Sequence, residues 1–196
     1  VRLAMNPTEL TFIEGPPGTG KTTVIEEIIR QAVSRNERVL VVSQMHQAVD
    51  NILKAFKDEG DTTPVLRLGN NPEMFRYGTE RFWLGNAETG IRDEALIGEF
   101  QQRVIASQTR GFAIFVTDMG IATNWALKDP AIRALLLGAG FDRVIMDESS
   151  RETTVGAFVA LSYLNSQGHI DVIGDHRQLP PFELTIWTCS NLGTCA

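Results

Sequence analysis

The chain has 196 residues, 43% apolar and 21% charged, with a net charge of -6. That length suits one α/β domain able to bury a core without disulfides or metals, and those proportions exclude a disordered chain. No apolar run reaches the length that spans a bilayer, and the 18 Lys and Arg are scattered without a basic block, so only motifs can argue for nucleic acid.

Val1 to Pro7 lacks an apolar signal core, which predicts the cytoplasm or a nucleus, and the absence of an initial Met predicts a piece of a longer protein. Thr11 to Glu14, with Phe12 and Ile13, reads as a short buried strand. Gly15 to Thr22, Gly-Pro-Pro-Gly-Thr-Gly-Lys-Thr, then fits the phosphate-binding pattern of Gly, four residues, Gly, Lys and Ser or Thr. The glycines let successive N–H groups turn toward phosphate oxygens, Lys21 reaches the β and γ phosphates, and Thr22 offers a hydroxyl to Mg²⁺. Val24, Ile25, Ile28, Ile29, Ala32 and Val33 recur at helical spacing, so the order is strand, loop, helix.

Arg38 to Gln44 holds the run Val39-Leu40-Val41-Val42 of a parallel strand covered on both faces. A helix from about His46 to Lys57 follows, then a turn at Asp61 to Pro64 and a short strand over Val65 to Leu68. This rhythm predicts a parallel sheet with right-handed crossovers. From Asn71 to Gly90 the rhythm breaks: Phe75, Tyr77, Phe82 and Trp83 interleave with Arg76 and Arg81, a mixture that packs as a loop on the domain or stacks the bases of a single strand. The stretch 71–110 is the expected place of an insertion in relatives.

Asp93 to Gln108 returns to helix, and Phe112 to Val116 is a further buried strand ending at Thr117-Asp118. Asp129 to Leu137 reads as a helix closed by Gly138 and Gly140. Val144 to Met146 forms a strand delivering Asp147 and Glu148 at its carboxyl end, where ligands sit in open α/β sheets. Asp147 suits a Mg²⁺ ion and Glu148 the deprotonation of an attacking water, while an acidic turn is the plain alternative. A helix over Thr153 to Leu164 and a strand over Ile170 to Ile173 lead to Gly174-Asp175-His176-Arg177-Gln178-Leu179-Pro180-Pro181. Beyond this, Cys189 and Cys195, with His176 nearby, read as free thiols rather than a zinc site.

In this order the motifs resemble the first RecA-like domain of superfamily 1 helicases, nearest the nonsense-mediated-decay branch. Gly15 to Thr22 matches the first motif (Walker A), Ala48 to Leu53 the segment after motif Ia, and Arg67 to Asn70 a further familiar run. Phe115 to Thr117 matches a strand ending in a nucleic-acid-contacting Thr, and Phe141 to Glu148 the Walker B strand. Gly174 to Pro181 matches the third motif and is the most discriminating piece. The resemblance implies an α/β, RecA-like P-loop NTPase domain over 1–196, a mostly parallel sheet flanked by helices.

It further implies ATP and Mg²⁺ as cofactors, held by Gly15, Pro16, Pro17, Gly18, Thr19, Gly20, Lys21, Thr22 and Thr23. Asp147 joins Thr22 at the metal, Glu148 is the catalytic base, Lys21 assists the chemistry and Gln178 links to the γ-phosphate. Ser43, Gln44 and Thr117 meet the backbone of single-stranded DNA or RNA, with no membrane involved. A second RecA-like domain of the parent protein is expected to complete the ATP hydrolase, so the chain alone is expected to be nearly inactive. Ser149 and Arg151 stand where the family has Ala and often Gln, which bears on coupling between ATP and nucleic acid. The competing readings are a non-unwinding, nucleotide-dependent binding or regulatory module, and an unrelated P-loop kinase or assembly ATPase.

Overall fold

The computed structural model describes residues 1–2, 4–5, 10–58, 60–69, 78–79, 82–83, 95, 98, 101–102, 110–117, 120, 140–151, 154–175 and 177. Among these, the strands are β1 (Leu10–Glu14), β2 (Arg38–Ser43), β3 (Val65–Arg67), β4 (Phe112–Thr117), β5 (Phe141–Met146) and β6 (Leu164–Gly174). The helices are α1 (Lys21–Ser34), α2 (His46–Leu53) and α3 (Thr154–Leu161). The strands form one sheet in the order β1-β6-β5-β2-β4-β3, every pairing parallel, as the alternation of strands and helices in the sequence predicts.

Side-chain alternation along these strands fills two cores. Val39, Val41, Ala113, Phe115, Ile145 and Ile173 face α1 and α2, where Ile25, Ile28, Ile29, Val49 and Ile52 cover them. Leu40, Val42, Ile114, Val116, Val144 and Met146 occupy the opposite face with Ala160 of α3. The central strands β2 and β4 are therefore apolar on both sides, which is why they read as unbroken apolar runs.

Several local expectations are corrected. β1 lies at the sheet edge, so Phe12, expected in a buried strand, is 72% exposed. The second helix ends at Leu53 and tightens into a 3-10 turn over Lys54–Phe56. α3 stops at Leu161, because the chain is captured by β5: the Phe141 N–H donates to Tyr163 O at 2.8 Å and Leu164 pairs with Phe141, so β6 begins six residues before Ile170. Gly140, at φ 80°, permits this close approach; a Cβ there would stand 3.1 Å from Tyr163 O.

The helix expected over Asp129 to Leu137, most of that over Asp93 to Gln108, the residues Phe75, Arg76, Tyr77 and Arg81, and the tail with Gln178, Cys189 and Cys195 lie outside the described residues. His176 does too. Among the described residues no helix is long and apolar enough to cross a membrane.

Candidate functional site

The loop after β1 is shaped by glycine. Gly18 and Gly20 sit at φ 77° and 86°, a left-handed region that residues with a Cβ avoid. At Gly15 the constraint is space, since a Cβ would come within 2.6 Å of Thr19 Oγ1. That hydroxyl donates to Pro16 O at 2.7 Å, closing the curl. Lys21 Nζ donates to Gly15 O at 2.6 Å and to Pro16 O at 3.2 Å, so the ammonium lies against the curl. Thr22 and Thr23 follow in the first turn of α1, whose amino end has no side-chain cap. Its first N–H groups and dipole suit an anion.

Facing this loop, β5 delivers Asp147, which is buried and whose N–H donates to Val42 O at 2.9 Å. Burial pushes its carboxyl up to about 6, against an ordinary 3.8; an N–H bond from Glu148 and the charge of Lys21 pull down, while the charge of Glu148 pushes up. The influence of Lys21 means that loop and acid share one electrostatic site. Glu148 is half-buried at φ 55°, a backbone strain for a residue with a Cβ.

The third segment closes the group. Gly15 N donates to Gly174 O at 3.1 Å, and a Cβ on Gly174 would lie 2.6 Å from Ser149 Oγ. Gly174 thus touches both the phosphate loop and the turn after Asp147 and Glu148. Asp175 is buried and accepts from Arg177 N at 3.0 Å. These residues fit a nucleotide with Mg²⁺: a glycine-shaped loop, the Lys21 ammonium lodged against it, a hydroxyl at Thr22 and a buried carboxyl at Asp147.

The residues expected at a nucleic-acid strand are placed differently from one another. Gln44 is half-buried and the neighbouring Met45 is 41% exposed. Ser43 is completely buried, and Thr117 is buried with its Oγ1 accepting from Gly120 N at 3.0 Å, so neither offers side-chain surface to a strand here. Phe82 and Trp83 are also buried, and Trp83 Nε1 donates to Gly69 O at 2.7 Å; these two aromatics pack on the domain rather than stack bases.

One cluster has no counterpart in the sequence reading beyond the familiar run around it. Arg67 is completely buried, yet it donates to Asp50 at 2.9 Å, to Phe115 O at 3.3 Å and to Leu68 O, and it meets His46 Nδ1 at 2.9 Å. Burial lowers the pKa of its guanidinium and Asp50 opposes this. The cluster fastens α2 to β3 and β4 just behind Gln44 and Thr117. Its only signal in the sequence is an arginine inside the apolar run Val65 to Leu68. Among the described residues no group of three or more metal-ligating side chains occurs.

The chain is similar to known proteins in sequence and in fold. A family model described as "AAA domain" matches residues 1–81. The chain is 34% identical, over 90% of its length, to the DNA replication ATP-dependent helicase/nuclease DNA2 of Saccharomyces cerevisiae, of which it covers 10%. It is 28% identical, over 92% of its length, to the DNA polymerase alpha-associated DNA helicase A of Schizosaccharomyces pombe, covering 31% of it. It is also 28% identical, over 88% of its length, to the putative ATP-dependent RNA helicase ECM32 of Saccharomyces cerevisiae, covering 17%. The chain therefore spans between a tenth and a third of these relatives. In fold it is similar to the Type ISP restriction-modification enzyme LlaGI, solved as a nuclease-deletion mutant with a DNA substrate mimic, at TM-score 0.55 and 14% identity over 94% of this chain and 17% of that one.

Proposed function

The chain being a first RecA-like domain of the superfamily 1 helicase type, we propose that it is the ATP-binding half of a helicase or translocase that couples ATP hydrolysis to movement on single-stranded DNA or RNA. The observation that carries this is the meeting of three segments: the Lys21 loop, the Asp147–Glu148 turn, and Gly174 in contact with both. A phosphate loop alone would serve a kinase or a switch equally. The relatives' names, which specify DNA helicases and a putative RNA helicase, support the motor reading.

In this proposal Gly15 to Thr23 hold the phosphates of ATP, Lys21 meets the β and γ phosphates, and Thr22 and Asp147 hold Mg²⁺. Bound Mg²⁺ would neutralise charge developing on the γ-phosphate. Glu148 takes the proton of the attacking water, and Gln178 senses the γ-phosphate. Gln44 lies on the strand path with Ser43 and Thr117 behind it, contacting the backbone without reading bases. A second RecA-like domain of the whole protein adds arginines to the site, a contribution of about 10³ to 10⁵ in rate.

The test is steady-state ATPase of the 196-residue chain beside the whole protein, each with and without single strands. Strand-stimulated turnover in the whole protein, with slow and unstimulated turnover in the chain, is expected. Nucleotide binding with no strand-stimulated turnover in the whole protein would move the assignment to a nucleotide-dependent binding module, and no nucleotide binding at all would overturn the proposal.

A further inference from the structure

Ser43 ends β2, is completely buried, and its hydroxyl has no hydrogen-bond partner among the described residues. A buried polar group left in that state costs about 1 to 3 kcal/mol, so a native fold retains one for a reason. Where the hydroxyl lies follows from register. Val42 pairs with Met146, and one step further along these strands Ser43 stands beside Asp147, whose N–H still bonds Val42 O. On its other side Ser43 pairs with Thr117.

Alternation fixes the face. Val39 and Val41 of β2, Ala113 and Phe115 of β4, and Ile145 of β5 all belong to the core under α1 and α2, whereas Val42, Val116 and Met146 belong to the opposite one. Asp147, Ser43 and Thr117 therefore form a polar row on the α1 side, across three adjacent strand ends. At one end of the row is the acid that feels Lys21. At the other are Thr117 and the loop that starts with Gln44.

We propose that Ser43 is a positioning residue of the nucleotide site: its hydroxyl takes its missing partner from the metal–phosphate group held beside Asp147, and through the single peptide to Gln44 this bond couples nucleotide occupancy to the strand-facing loop. The inference rests on the ATP–Mg²⁺ reading above and changes the role of Ser43 within it. What favours the nucleotide over the strand is position, since Ser43 stands beside Asp147 rather than in the loop that follows it. A hydroxyl whose partner arrives only with the ligand also makes the loop respond to that ligand, because a population shifts by the difference in interaction between two states.

The experiment uses Ser43→Ala in the whole protein. Thermal unfolding without nucleotide should show no loss of stability, since the hydroxyl makes no bond there. Calorimetry with a slowly hydrolysed ATP analogue and Mg²⁺ should show affinity lower by about 10-fold or more, the range for a hydrogen bond to a charged group. The ratio of single-strand affinities with and without the analogue should move toward one. Gln44→Ala, by contrast, should weaken strand binding and leave analogue affinity intact. Wild-type analogue affinity in Ser43→Ala, or a clear loss of stability without nucleotide, would overturn the inference, the second because it places the partner inside the fold. A wild-type protein that binds no analogue, or a Lys21→Ala variant that binds it normally, would instead overturn the underlying nucleotide reading and the inference with it.

Discussion

Toward the amino-terminal half of the sheet Arg143 donates to Glu37 at 2.7 Å, to Asp171 at 2.6 Å and to Ala4 O at 3.1 Å, while His169 Nε2 lies 3.0 Å from Asp171 and 3.1 Å from Thr11 Oγ1. At the carboxyl rim, on the same α1 face, the hydroxyl of Ser43 has no partner, Asp147 is buried with its pKa raised, and Glu148 is held at a strained φ. The same face and the same strands carry both. On this face the first end surrounds Arg143 and Asp171 with ion pairs and hydrogen bonds, which contributes rigidity, while the other holds a hydroxyl without a partner beside a carboxyl whose charge burial disfavours.

If that division holds, substitutions at the two ends fail in different assays. The largest effect is expected at Lys21→Ala, which removes the one cation lodged in the loop; Mg-nucleotide binding should be lost while the melting temperature stays near that of the parent. Unchanged calorimetric affinity in the folded variant would mean that this loop does not hold the phosphates.

Arg143→Met should do the reverse. It leaves Asp171 buried without its guanidinium, a loss of about 3 to 5 kcal/mol in stability, readable by denaturant unfolding, with nucleotide affinity unchanged in the fraction that folds. A variant as stable as wild type would mean that His169 suffices as partner for Asp171.

Glu148→Gln comes next. The amide keeps the shape of the turn but accepts no proton, so the whole protein should bind nucleotide normally and hydrolyse it about 10²-fold more slowly. Retained turnover would put the base elsewhere.

The smallest effect is read through pH. The folded pKa of Asp147, about 6, exceeds the ordinary 3.8, so the folded form holds the proton more tightly. Its contribution to stability is therefore full below about pH 4 and is lost as pH rises through about 6. Mg-nucleotide affinity should run the opposite way, rising from pH 5 to 7 as the carboxylate that would hold the metal forms. Asp147→Asn should flatten the stability slope and abolish the gain in affinity, measured by unfolding and by calorimetry across that range.

The phosphate loop, the parallel alternation of strands and helices, the acid pair after β5 and the segment at Gly174 were legible along the chain. These are local: a glycine at a left-handed φ, a run of β-branched residues and an acid after an apolar strand act through their own backbone and neighbours, so their order along the chain is enough. The tertiary structure decided what depends on strand order. Phe12 is exposed because β1 falls at an edge, and α3 stops at Leu161 because β5 captures the following residues. Phe82 joins the core under α1 and α2, and Trp83 is buried where the Gly69 carbonyl accepts its indole N–H. Arg67 is buried because Asp50, His46 and the Phe115 carbonyl, separated from it along the chain, converge on it. Ser43 stands on the α1 face beside Asp147 because the face a side chain takes is set by pairing with β4 and β5, and register between distant strands is settled only when the cores on both faces of the sheet close.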